Sequence, residues 1–299
     1  MQIKAAVVRE KSAPFIIDTV ELCEPRADEL IVRVVASGMC QTDLHGRDGY
    51  FTSPYPAVYG HEGSGIVHAV GSAVRGFAPG DHVVMSYPWC GDCANCRQQR
   101  LNYCLDGRKL KMGGARADGS TLLSQNGAPV YSAYFQQSSF GTFALTQARW
   151  TVKVRKDAPL ELLGPLACSG QTGAGAVLNV AKPNPGDSLA VFGVGAVGLS
   201  ALMAAKIAGC APIIAVDVHA HRLALARELG ATHTIDHGSC ADVIGEIRAI
   251  TGRGVRYSLD TSALPAGVRG ALVPGAATGV AAAGAMSSIT TTLTLINQP

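Results

Sequence analysis

The sequence has 299 residues, 47% of them apolar and 16% charged, with a formal net charge of +3. This length suits two ordinary folded domains and the composition excludes a largely disordered chain, while the weak, scattered positive charge excludes an electrostatic footprint for nucleic acid. No uninterrupted apolar stretch reaches the roughly 18 residues of a membrane-spanning helix, and the N-terminal MQIKAAVVREK lacks the apolar core of a signal peptide, so the expectation is a soluble, cytoplasmic protein with no membrane partner.

In chain order, residues 1–160 read as a β-rich domain. Short apolar runs such as KAAVV (4–8), ELIVRVVAS (29–37) and GSGIVHAVG (63–71) are separated by Gly, Pro and Asp and have strand length and composition. Residues 161–299 change texture. SLAVFG (188–193) predicts a buried strand and GVGAVGLSALMAAKIAGC (193–210) a turn feeding a helix; IIAVD (213–217) is a second strand and HRLALARELG (221–230) an amphipathic helix ending in glycine. HTID (233–236), DVIGEIRAITG (242–252) and VRYSLD (255–260) continue the alternation of strand and helix, which implies βαβ units and a doubly wound parallel sheet. The segment from Ser262 to Pro299 is rich in Ala, Gly, Ser and Thr; GALVPGAATGVAAAGAM (270–286) has the weak pattern of one more helix–strand unit.

The strongest local signal is Cys90-x2-Cys93-x2-Cys96-x7-Cys104. Four thiolates so close in sequence can close a tetrahedron around Zn(II), as structural zinc sites do, and Gly91, Asp92 and Asn95 suit the tight turns of such a knuckle. Free thiols, disulfides or an iron–sulfur cluster are the alternatives. Filled by four protein ligands, this site leaves no room for a substrate. The second signal is Gly193-x-Gly195-Ala196-Val197-Gly198, which follows a strand, opens a helix and precedes Asp217 at the end of the next strand. That context marks a dinucleotide fingerprint: the glycines let the backbone approach a pyrophosphate at a helix N-terminus. Asp217 would accept hydrogen bonds from the adenosine ribose and repel a 2′-phosphate, which favours NAD; Arg222 nearby is compatible with that reading. The third signal is the scattered set Cys40, His61, Glu62 and Cys168. Each alone is more often a core residue than a ligand. Together they could supply two thiolates, an imidazole and a carboxylate to one Zn(II) with an exchangeable position, as catalytic zinc requires.

These residues coincide with a family pattern. GMCQTDLHG, YGHEGSGIVHAVG, the four-cysteine knuckle, ACSGQTGAGAVLNV and FGVGAVG occur in the order seen in zinc-dependent medium-chain alcohol dehydrogenases, and the resemblance covers roughly residues 1–262. GGARADGSTLLSQNGAPVYSAYFQQSSFGTFAL most resembles the aryl-alcohol (benzyl-alcohol) branch. The resemblance implies a GroES-like catalytic domain over 1–160 and a Rossmann NAD-binding domain over 161–299, two Zn(II) per chain, NAD, and a small-molecule alcohol or aldehyde as substrate. It implies Cys40, His61 and Cys168 as catalytic zinc ligands, with Glu62 joining transiently, and Cys90, Cys93, Cys96 and Cys104 as structural zinc ligands. Asp43 matches a carboxylate that orients the metal-bound histidine. Thr42 matches the hydroxyl that accepts the alcohol proton, His45 the outer member of the proton relay, and Thr172 a nicotinamide contact. For an aromatic substrate, Trp89, Tyr50 and Phe51 are candidate pocket residues, with plain packing the competing reading.

The sequence also departs from the family. Members run well past 299 residues, so truncation is expected here; a homodimer or homotetramer, and part of the cofactor site, would depend on the C-terminal part. Gln41 stands where some relatives carry a basic residue that contacts the pyrophosphate. Competing functions are a glutathione-dependent formaldehyde dehydrogenase-like enzyme, a truncated non-catalytic zinc- and NAD-binding relative, a polyol dehydrogenase, and a zinc-free reductase, the last disfavoured by the presence of Cys40, His61, Glu62 and Cys168. Cys23, Cys210 and Cys240 read as packing residues.

Overall fold

The computed structural model describes residues 1–51 and 54–262, together with the backbone of two later strands, Thr278–Ala282 and Leu293–Ile296. It divides into two compact units, Met1–Cys168 and Ser169–Pro299. The division falls beyond residue 160 because the stretch that follows, α4 and the turn Gly164–Ala167, packs on strands β3, β5 and β6 of the first unit.

The first unit contains β1 (Gln2–Val8), β2 (Ile16–Leu22), β3 (Glu29–Gly38), α1 (Gln41–Arg47), β4 (Ala57–Val58), β5 (Glu62–Val70), β6 (His82–Met85), α2 (Ala94–Arg97), α3 (Gly107–Met112), β7 (Leu123–Gln125), β8 (Ala128–Val130), β9 (Phe143–Gln147), β10 (Thr151–Lys153) and α4 (Leu160–Leu163). Its strands form two five-stranded sheets, ordered β4-β1-β2-β7-β8 and β10-β6-β5-β3-β9. Alternation along β3 explains how the second sheet is covered on both sides. Ile31 joins Ile3, Val20, Val130 and Leu145 in one cluster, while Leu30 and Val32 join Val67, Val83, Met85 and Ala144 in another. Hence ELIV is buried throughout instead of showing one wet face. Two register shifts against β5, between Ile31 and Val32 and between Val34 and Ala36, bend β3 as it approaches Cys40.

The second unit contains α5 (Ser169–Gly175), a π-helical turn (Ala176–Ala181), β11 (Leu189–Phe192), α6 (Ala196–Ile207), β12 (Ile213–Asp217), α7 (Ala220–Leu229), β13 (His233–Asp236), α8 (Val243–Thr251), β14 (Tyr257–Asp260), β15 (Thr278–Ala282) and β16 (Leu293–Ile296). The sheet order is β13-β12-β11-β14-β15-β16, parallel from β13 to β15 with β16 antiparallel at the edge. Leu189, Val191, Ile213, Ala215 and Leu259 pack on one face with α6 and α7; Ala190, Phe192, Ile214, Val216 and Ile235 pack on the other with α8. This is the doubly wound arrangement the alternating strand–helix pattern predicts, and its order reverses beside β11, where such sheets bind ligands. Cys210 lies in the first of these clusters and Cys240 against the second. Of the segment 270–286, only the strand Thr278–Ala282 falls within the described residues.

Candidate functional site

Cys40 lies two residues beyond the end of the bent strand β3 and is the N-cap of α1. Asp43, in the first turn, returns its carboxylate to the Cys40 N–H at 3.0 Å, so the helix start and the cysteine are fixed together. The same carboxylate accepts the Gly60 N–H (3.0 Å) and lies 2.8 Å from His61 Nδ1, and it is completely buried. His61 is thereby aimed by one nitrogen, and its Nε2 lies 3.2 Å from Cys168 Sγ. Donor atoms of Cys40, His61, Glu62 and Cys168 all lie within 4.8 Å of one another.

The protons of this cluster are strongly coupled. A hydrogen bond from Cys168 holds the Cys40 thiol down to about 3, against burial and with help from His61. The same bond and burial push the Cys168 thiol up. Burial disfavours a charged His61, yet Asp43 and Cys40 outweigh it and raise the imidazole to about 10. The arrangement is a thiolate beside an imidazolium and a thiol, and a metal would displace the last two protons. Two sulfurs, an imidazole nitrogen already oriented by a carboxylate, and a carboxylate oxygen form a donor set that fits Zn(II).

A second cluster lies in the lobe after β6. The ligand atoms of Cys90, Cys93, Cys96 and Cys104 also lie within 4.8 Å of one another, and all nine cysteines are free of disulfides. Backbone N–H groups turn toward the sulfurs: Cys93 to Cys90 (3.4 Å), Cys96 and Leu105 to Cys93 (3.5 and 3.4 Å), and Cys90 to Cys104 (3.3 Å). The Leu105 N–H, followed by that of Cys96, holds the Cys93 thiol down at about 6. Such N–H donors favour thiolates, so this set too fits Zn(II), as a closed four-sulfur site. Arg149 steadies the lobe, stacking on Trp89 and Trp150 and donating to the Cys90 carbonyl. Trp89 is half-buried in this contact.

On α1, Thr42 Oγ1 lies 3.5 Å from Cys40 Sγ, and the Tyr134 hydroxyl donates to the Thr42 carbonyl at 2.8 Å. His45 is half-buried, its ring 4.8 Å from that of the exposed Tyr50. Phe51 is buried with Tyr59, Tyr134 and Phe135.

Residues 134–139 have a role that sequence reading did not find. Phe135 stacks on His61 with ring centroids 4.3 Å apart and planes 21° apart. The Gln137 side-chain amide donates to the His61 carbonyl and its oxygen accepts the Gly63 N–H. Ser138 Oγ donates to the Val58 carbonyl. These contacts require left-handed backbone at Phe135, Gln136 and Ser138 (φ 49°, 55° and 44°), and no glycine marks the place in sequence.

In the second unit, the fingerprint joins β11 to α6. Gly193 has φ +81°, and a Cβ on Gly198 would fall 2.1 Å from the Gly193 carbonyl, so helix and strand approach as closely as only glycine permits. A Cβ on Gly195 would meet open space, and the N-terminus of α6, where Ala196 and Val197 follow, has no side-chain cap. Its free N–H groups suit a phosphate. Asp217 ends β12; it accepts the N–H groups of Val194, Val218 and His219 at 2.8–2.9 Å, with Arg222 3.9 Å away. Thr172 lies half-buried on α5.

The chain matches the alcohol dehydrogenase GroES-like domain over residues 26–156 and the zinc-binding dehydrogenase domain over residues 196–296. It is 46% identical over 281 residues to a geraniol dehydrogenase of Castellaniella defragrans, covering 93% of this chain and 75% of that one. Among solved structures, an alcohol dehydrogenase zinc-binding domain protein from Burkholderia ambifaria superposes with a TM-score of 0.88 at 51% identity, covering 91% of this chain and 74% of that one. The benzyl alcohol dehydrogenase of Acinetobacter calcoaceticus gives 0.86 at 44%, covering 92% and 75%. With the domains, their motifs and this similarity in agreement, the chain belongs to the zinc-dependent medium-chain alcohol dehydrogenase family.

Proposed function

We propose that the protein oxidises primary alcohols whose carbinol adjoins an unsaturated group, aromatic ones first, to aldehydes in a reversible NAD-dependent reaction. The observation that carries this reading is the convergence of Cys40, His61, Glu62 and Cys168 donor atoms, with His61 held by Asp43. Cys40, His61 and Cys168 would hold a catalytic zinc, Glu62 standing by for ligand exchange, and Cys90, Cys93, Cys96 and Cys104 a structural one. When bound, zinc supplies Lewis acidity toward the alcohol oxygen and the nicotinamide supplies the hydride acceptor. Asp43 fixes the His61 ring so that Nε2 faces the cluster. The Thr42 hydroxyl, beside Cys40, takes the alcohol proton, and His45, three residues along α1 and half-exposed, is its outlet to solvent. Gly193, Gly195, Ala196, Val197 and Gly198 receive the pyrophosphate, Asp217 disfavours a 2′-phosphate, and Thr172 meets the nicotinamide. Similarity to a geraniol dehydrogenase and a benzyl alcohol dehydrogenase supports an allylic or benzylic substrate.

The test is zinc content per chain together with NADH production from benzyl alcohol, geraniol and ethanol, before and after chelation. Two zinc ions, chelator-sensitive turnover and a higher kcat/KM for the unsaturated alcohols are expected. One zinc and no turnover would overturn the reading in favour of a non-catalytic relative.

A further inference from the structure

The peptide between Gly193 and Val194 is held at both ends. Its N–H, on Val194, donates to Asp217 Oδ2 at 2.8 Å. Its carbonyl, on Gly193, accepts the Thr261 hydroxyl at 2.5 Å. Thr261 immediately follows the neighbouring strand β14, and its own N–H donates to the Phe192 carbonyl at 2.8 Å, extending the β11–β14 ladder to the edge of the fingerprint. The turn that delivers it is shaped by Asp260, whose Oδ1 accepts both the N–H (3.0 Å) and the hydroxyl (2.6 Å) of Ser262. That turn presses on the fingerprint: a Cβ on Gly193 would lie 2.8 Å from the Ser262 nitrogen. Thr261 Oγ1 would also lie 3.1 Å from a Cβ on Gly198, so strand, turn and helix meet at this hydroxyl.

We infer that Thr261 is a positioning residue for dinucleotide binding, acting through the Gly193 carbonyl; the inference rests on the dinucleotide reading of the fingerprint. A peptide unit with glycine at its N-terminal side rotates easily, and rotation of this one would turn a carbonyl oxygen toward the place a phosphate must occupy. The Thr261 hydroxyl holds that oxygen away, so the uncapped N–H groups at the start of α6 stay available as donors to the pyrophosphate. The hydroxyl touches neither the ribose nor the nicotinamide in this scheme; its effect is confined to ligands that carry the pyrophosphate.

The experiment compares Thr261→Val, which keeps the shape and removes the donor, with Thr261→Ser, which keeps the donor. Dissociation constants are measured for NADH by fluorescence, and for ADP-ribose and adenosine by displacement of NADH, alongside thermal melts. Loss of one positioned hydrogen bond predicts a roughly tenfold weaker NADH and ADP-ribose binding in T261V, unchanged adenosine binding, and near-normal values in T261S. If T261V does not fold, Thr261→Ala carries the same expectation. NADH and ADP-ribose binding in T261V within about twofold of the unaltered protein would overturn the proposal, as would equal weakening of adenosine and ADP-ribose. If the unaltered protein binds neither NADH nor ADP-ribose, the dinucleotide reading fails first and the proposal falls with it.

Discussion

Replacing Asp43 by Asn tests the proposed catalytic zinc site at its most constrained point. The carboxylate is fully buried and serves three donors: Cys40 N–H on one oxygen, Gly60 N–H and His61 Nδ1–H on the other. An amide of the same shape must present its NH2 to one side or the other. In the milder orientation it faces the Cys40 N–H, so one hydrogen bond to a charged acceptor is lost and two donors confront each other. A hydrogen bond to a charged group contributes about 1.5–3 kcal/mol, which corresponds to roughly a 10- to 150-fold change in an equilibrium constant. Substitutions of residues that orient metal ligands commonly cost about 10- to 100-fold in metal affinity. D43N is therefore expected to bind its second zinc roughly 10- to 100-fold more weakly while the four-cysteine lobe keeps the first. Competition with a chromogenic chelator, using Cys40→Ser as the reference for a chain lacking the site, reads both affinities in one titration. A second-site affinity in D43N equal to that of the unaltered protein would refute the argument that Asp43 organises His61 and Cys40.

The other predictions concern different parts of the chain. Cys93 has its thiol pKa lowered from 9.0 to about 6 by the Leu105 and Cys96 N–H groups, so its thiolate contribution to stability is full above 9.0, declines progressively as pH falls below that, and is gone once pH has fallen through about 6. The ultraviolet thiolate absorbance of zinc-stripped protein is expected to show a step near that pH, and Leu105→Pro, which removes the first of these donors, to move it upward. Gly198→Ala places a Cβ 2.1 Å from the Gly193 carbonyl; fluorescence titration is expected to show NADH affinity reduced by roughly tenfold or more, with zinc content unchanged. Asp260 is fully buried, and its Oδ2 has no hydrogen-bond partner among the described residues. Burial raises its pKa above 3.8 despite hydrogen bonds from Ser262, so its contribution to stability is full below the unfolded value and is lost as pH rises through the folded one. Asp260→Asn is accordingly expected to raise the melting temperature by a few degrees at roughly neutral pH and to lose that advantage as the pH approaches 3.8; equal shifts at both ends would contradict the assignment.

How much the sequence revealed depended on how far apart the cooperating residues lie. Cys90, Cys93, Cys96 and Cys104 and the strand–glycine–helix fingerprint are local: each lies within a short span whose turns and periodicity are set by neighbouring residues. They were therefore legible as candidate sites before any coordinates, as was the alternation of strand and helix from β11 to β14 that implies a doubly wound parallel sheet. Cys40, His61, Glu62 and Cys168 were legible as a possible ligand set by their chemistry and gained roles only from the family resemblance, because spacing carries no information about whether a bent β3, a loop entering β5 and the turn after α4 converge. The pairing of β3 with β5, which sets Gly38 beside Glu62, and the packing of the Gly164–Ala167 turn on the same sheet bring their donor atoms within 4.8 Å. The support for His61 from Phe135 and Gln137, and the hold of Thr261 on Gly193, had no sequence signal at all. The first depends on left-handed backbone at residues that rarely adopt it, stabilised by contacts with distant strands. The second depends on which strand pairs beside β11, a choice made by long-range packing of both sheet faces rather than by the residues of the fingerprint itself.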